Sequence, residues 1–138
     1  MKTIHDDLYG KNYENHPHYL AELTSHAAIE IDNLLLGRKG DFSSIERFAR
    51  VLKKYQSKDV DTILTDFLYI PLWKAMKMYS QKEIRHTSEL VLEIKILQSE
   101  ISKIKNLPKK RLENLRDFCV KASKEFQIKG NDYLRKVA

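Results

Sequence analysis

Residues 87–104 read TSELVLEIKILQSEISKI, and the reading of this stretch decides the fold. Thr87, Leu90, Ile94, Leu97, Ile101 and Ile104 recur at alternating spacings of three and four, the a/d pattern of a heptad helix. The shorter run Leu90-Val91-Leu92-Glu93-Ile94-Lys95-Ile96 also alternates as a half-buried strand would. No turn residues bound that run, and a lone strand has no visible partner. Helix is therefore the expectation, with about three heptads that suit packing inside a bundle better than an autonomous coiled coil. Leu92 and Ile96 fall outside the a/d set, roughly opposite it. A helix that is apolar on two sides is either wrapped centrally by the rest of its bundle or shared with another chain.

Working outward, the same 3.6-residue period appears on both sides. Pro17 suits a first helical turn, because its missing N–H would be unpaired there. Leu20, Leu23, Ala27, Ile31 and Leu34 then mark a buried face, and Gly37 supplies a stop. Ser43-Ser44-Ile45-Glu46 is a capping-box sequence opening a second helix, with Ile45, Phe48, Ala49 and Leu52 on its inner side. After a connector at Ser57-Lys58-Asp59, Val60, Ile63, Leu64, Phe67 and Leu68 begin a third helix. Leu72, Met76 and Tyr79 continue its phase past Pro71, which predicts a kink there. Asn106-Leu107-Pro108 breaks the chain again. Leu112, Leu115, Phe118, Cys119, Ala122 and Phe126 line a last helix that should stop at Gly130, leaving Asn131–Ala138 as a short basic tail onto which Tyr133 and Leu134 could fold. The fold class is all-α: an antiparallel bundle of four to five helices over residues 17–138, preceded by an irregular arm at 1–16.

Composition agrees. The chain has 138 residues, 42% hydrophobic and 32% charged, which fits one domain with a core of its own. Four glycines and three prolines are too few for the turns of a sandwich, barrel or Rossmann unit. No apolar run approaches the roughly 18 residues of a membrane span. The first residues, Met1-Lys2-Thr3-Ile4-His5-Asp6-Asp7, carry no apolar stretch behind their basic residue. Together with a single cysteine, this predicts a cytoplasmic protein with no membrane partner.

The net charge of +6 is unevenly placed. Residues 103–138 hold 11 Lys and Arg and four Asp and Glu, a net of +7; the remainder holds 14 and 15, a net of −1. Lys109, Lys110, Arg111, Arg116, Lys121 and Lys124 are the candidate contacts to an anion or to nucleic acid, nonspecific because no recognition motif accompanies them. Lys74, Lys77, Lys82 and Arg85, close to Tyr69, Trp73 and Tyr79, make a second basic and aromatic segment, although Trp73 at helical spacing reads first as core.

Catalytic patterns are weak. Glu22, His26 and Glu30 share a helix face, and Glu83-x-x-His86 matches half of a di-iron motif that needs two such pairs and two further glutamates. Cys119 sits on an apolar face, as a small hydrophobe would. Gly37-Arg38-Lys39-Gly40 lacks phosphate-loop spacing. The expectation is a noncatalytic interaction or assembly module without cofactor or metal. It would bind a protein partner, or itself as a homo-oligomer, through Leu90, Leu92, Ile94, Ile96, Leu97 and Ile101. The alternative is a nucleic-acid-binding accessory protein using the C-terminal helix.

Overall fold

A computed structural model describes residues 16–56 and 69–137. The irregular arm up to residue 15, the connector at 57–59 and the segment from Val60 to Leu68 expected to lead into Pro71 lie outside the described residues, as do the side chains of Tyr133 and Leu134. His16, the last residue of that arm, is buried at the start of the first helix. Among the described residues the protein is an all-α bundle with no strand: α1 (Pro17–Leu35), α2 (Ser43–Gln56), α3 (Tyr69–Ser80), α4 (Thr87–Ser102) and α5 (Lys109–Val137), with a 3-10 turn at Ile104–Asn106. The ambiguous run Leu90–Ile96 is helical, inside α4.

The helices pack in the cyclic order α1, α2, α4, α3, α5 and back to α1. Named contacts give their directions. Arg116 reaches Asp32, Ser123 bonds the Ala21 carbonyl and Asn131 meets His18, so α5 runs antiparallel to α1. Glu30, near the end of α1, touches the start of α2, while Phe48 further along α2 reaches Phe118, opposite an earlier turn of α1. Gln98 bonds the Ala49 carbonyl, while Phe42 and Ile45 share a groove with Ile101 and Ile104, so α2 is antiparallel to both α1 and α4. Trp73 bonds the Ile84 carbonyl at 2.8 Å and Tyr79 bonds Glu100, which sets α3 and α4 in the same sense. Short connections were expected to join antiparallel neighbours; residues 81–86 instead run back along the bundle. That reversal uses Gln81 at φ 57°, a left-handed conformation that glycine adopts more readily.

The core of the described residues is one cluster, and side chains of α2, α3 and α5 meet in it at Phe118. The Phe118 ring lies 6.1 Å from that of Phe48 and 5.6 Å from that of Tyr79, the latter edge-on. Leu90, Ile94, Leu97 and Ile101 bring the α4 heptad face into this cluster.

Three local expectations are refined. Gly37, at φ 70°, ends α1 in a Schellman arrangement, with Arg38 N–H on the Asn33 carbonyl at 2.8 Å and Gly37 N–H on Leu34 at 3.1 Å. The capping box does not form. Ser43 bonds Asp41, while the free N–H groups of Ser44 and Ile45 both donate to the Glu30 carboxylate of α1, each at 3.0 Å. An anion from a neighbouring helix thus satisfies the α2 terminus and its dipole together.

Gly130 is not a stop either, because α5 continues through it to Val137. It is buried, and a Cβ there would overlap the His18 ring at Cδ2. The glycine admits that ring, which reaches Asn131 Oδ1 at 3.2 Å. The reading as a terminator failed because glycine at a close helix crossing and glycine at a helix end look alike in sequence.

Two outcomes follow for urea denaturation monitored by circular dichroism. Glu30→Gln should lose about 1 kcal/mol, whereas Glu46→Ala should be near neutral. Gly130→Ala, which stabilises an ordinary helix interior, should here destabilise by about 1–2 kcal/mol, and His18→Ala in the same chain should recover most of the loss.

Candidate interaction surface

Each helix presents its outer side as a consequence of which side the core takes, so the candidate residues divide by burial. Leu90, Ile94 and Leu97 are fully buried and Ile101 is 4% exposed, all within this chain's own core. They hold α4 in place and offer nothing to a partner. Leu92 and Ile96 point the other way, 56% and 42% exposed and one turn apart. Of the two arrangements open to a doubly apolar helix, α4 takes the one in which the second side faces outward. Glu93 was not distinguished by the heptad reading. It is 6% exposed and paired with Lys82, which carries the connector back across α4.

The cations of the C-terminal quarter divide as well. Arg111 donates to Glu100 and, at 3.2 Å, to the Tyr79 hydroxyl, its guanidinium 5.3 Å from the centre of the Tyr79 ring. The Tyr79 hydroxyl in turn donates to the same carboxylate. This cluster ties α3, α4 and α5 together at one end of the bundle. Burial, helped by the Glu100 carboxylate, pushes the Tyr79 phenol above its ordinary range, and the bond to Glu100 raises Arg111 further. Arg116 bonds Asp32 at 3.1 Å and Asp117 at 3.3 Å. Lys121 pairs at 3.2 Å with Glu125, a largely buried carboxylate that Lys74 also approaches at 3.5 Å. Lys109, Lys110 and Lys124 remain exposed and form no ion pair among the described residues. Half of the six candidate cations are therefore engaged by carboxylates of this chain.

The groups with reactive chemistry are distributed, not convergent. The Cys119 thiol is fully buried, and burial raises its pKa well above the usual thiol range, which keeps it protonated and unreactive. Glu30 caps α2, and His18 is seated against Gly130. Glu22 and His26 line an open polar recess of about 360 Å³ between α1 and α5, with Ser25, Ser123 and Gln127. Among the described residues no three His, Cys, Asp or Glu side chains come close enough to hold a metal ion. Trp73 is half-buried through its bond to Ile84, with the Lys77 ammonium 5.3 Å over its ring.

A second recess escaped the sequence reading, because its walls come from helices far apart in the chain. It is an open groove of about 460 Å³ between the start of α2 and the end of α4. Phe42, Ile45, Ala49, Ile101 and Ile104 form its apolar surface, and Glu46, Gln98, Ser102, Lys103, Lys105 and Asn106 stand at its edges. Lys105 Nζ lies 5.7 Å over the Phe42 ring.

The raised Tyr79 and Cys119 pKa values make stability fall at high pH. The unfolded chain releases the Cys119 proton near 9.0 and the Tyr79 proton near 10.0, their ordinary values, while the native state retains both. Their contribution is fully present below about pH 9.0 and is lost as pH rises beyond it. Chemical denaturation from pH 8 to 11 should show a shallower decline in the Tyr79→Phe/Cys119→Ala double variant than in wild type.

No protein-family model, curated protein or solved structure matches the chain.

Proposed function

We propose that the chain is a noncatalytic helical interaction module whose outward α4 face docks a protein partner, a second copy of itself included. The observation that carries this reading is the pair Leu92 and Ile96, exposed on a helix whose opposite side is committed to the core. Lys95 and Ser99 flank them, both exposed or partly so, which gives the apolar pair a polar margin of the kind found around contact sites. The reactive side chains support the same reading through their engagements, since Cys119 is core and Glu30 is a helix cap. No helix of the described residues is long and apolar enough to cross a membrane, which fits a docking role away from the bilayer interior.

Size sets the strength of the contact. A standard interface removes about 800 Å² per partner, far more than two side chains one turn apart can supply. Docking through this face is therefore weak and reversible unless neighbouring surfaces join it. Sedimentation velocity over a wide concentration range tests self-association. The wild type should gain mass as concentration rises, and Leu92→Glu or Ile96→Glu should remain monomeric with an unchanged circular dichroism spectrum. A monomer at every concentration, insensitive to both substitutions, removes the self-association claim.

A further inference from the structure

The bundle topology gathers charge that the sequence keeps apart. The α1–α2 loop and the α4–α5 turn lie at the same end, because Phe42 and Ile45 line one groove together with Ile104, Lys105 and Asn106. Residues 36–46 contribute Arg38 and Lys39, and residues 103–110 contribute Lys103, Lys105, Lys109 and Lys110. All six are exposed, and none forms an ion pair among the described residues. Only Asp41 and Glu46 oppose them over the same two segments, and Asp41 is bonded to Ser43. This excess differs from the one along α5, where Arg111, Arg116 and Lys121 are matched by carboxylates.

The 460 Å³ groove opens between these two basic segments, with Phe42 on one wall and Ile104 on the other. We propose that this end of the bundle binds single-stranded nucleic acid, one base entering the groove while its flanking phosphates lie on the two lysine- and arginine-bearing segments. The groove provides what stacking requires, an apolar concavity with an aromatic ring at its edge. Glu46 and Asn106 line the groove beside this apolar surface and bring polar groups to its edge. The cations on both sides provide the counterion-releasing contacts that dominate such affinity. A duplex keeps its bases stacked and could use only the charge. A bilayer surface, although Leu36 is 65% exposed nearby, could not enter a concave groove. The site is separate from the Leu92 and Ile96 face, so it stands or falls independently of the docking role.

Fluorescence anisotropy with a labelled oligouridylate of about 12 nucleotides tests it. Binding should weaken steeply between about 50 and 200 mM salt. Lys103→Glu/Lys105→Glu should lower the log–log salt slope by roughly 0.7 for each phosphate that is no longer neutralised, while Lys53→Glu/Lys95→Glu, elsewhere on the surface, should leave the slope nearly unchanged. Ala49→Trp, which fills the groove, should weaken binding at least about fivefold at fixed salt without altering the slope. Phe42→Ala provides the second groove variant should Ala49→Trp fail to fold. A duplex of equal length should bind without sensing either groove change. The proposal is overturned by no binding at about 50 mM salt. It is equally overturned by groove variants that bind the single strand normally, by equal losses from Lys53→Glu/Lys95→Glu, or by recruitment to phosphatidylglycerol vesicles without oligonucleotide binding.

Discussion

The position of Phe118 governs the rest of the molecule. Its ring is fully buried between Phe48 of α2 and Tyr79 of α3, so a single α5 side chain joins helices separated widely along the chain. Leu115, Cys119, Ala122 and Phe126 extend the same buried stripe, along which α1 and α3 lie. With those places taken, α4 meets the core between α2 and α3, and only one of its sides can be buried. The exposure of Leu92 and Ile96 is thus a consequence of ring order among the five described helices, in which a helix at the perimeter faces outward on one side.

Polar interactions refine what this packing establishes. Glu30 anchors the α2 terminus to α1, and the Tyr79, Glu100 and Arg111 cluster closes three helices at the same end. Carboxylates recruited in this way neutralise much of the positive charge along α5. Among the described residues, Arg38, Lys39, Lys103 and Lys105 on the connecting segments, with Lys109 and Lys110 at the start of α5, keep exposed charges that no ion pair compensates. Net charge measured along the sequence and charge available on the surface are therefore different quantities in this protein.

Periodicity made the helices legible, because burial on one side of a helix leaves a repeat of three and four residues. The heptad face of α4, the Phe118 stripe of α5 and the stop at Gly37 could all be read in this way. Three features could not. Glu30 was visible as a helix-face carboxylate, but nothing local marks it as the cap of another helix. Gly130 resembled a terminator because the His18 ring it accommodates is 112 positions away in the chain. The turn after α3 carries no glycine, since Gln81 adopts the left-handed conformation itself. The candidate surface was partly legible. Leu92 and Ile96 stood out by phase, whereas the groove beside Phe42 depends on a pairing of α2 with α4 that no local pattern encodes.

The pairing of α1 with α5 also bears on how the molecule is made. During synthesis the apolar stripe of α1 emerges long before the helix that covers it, and residues 18 and 130 meet only when nearly the whole described chain is available. The core cannot close piece by piece in chain order, so the loop-closure entropy of this long-range contact falls on one late step. Until then Leu20, Leu23, Ala27 and Ile31 lack the part of their cover that α5 supplies. The interval before α5 docks is when the nascent protein exposes the most apolar surface and is most prone to aggregate.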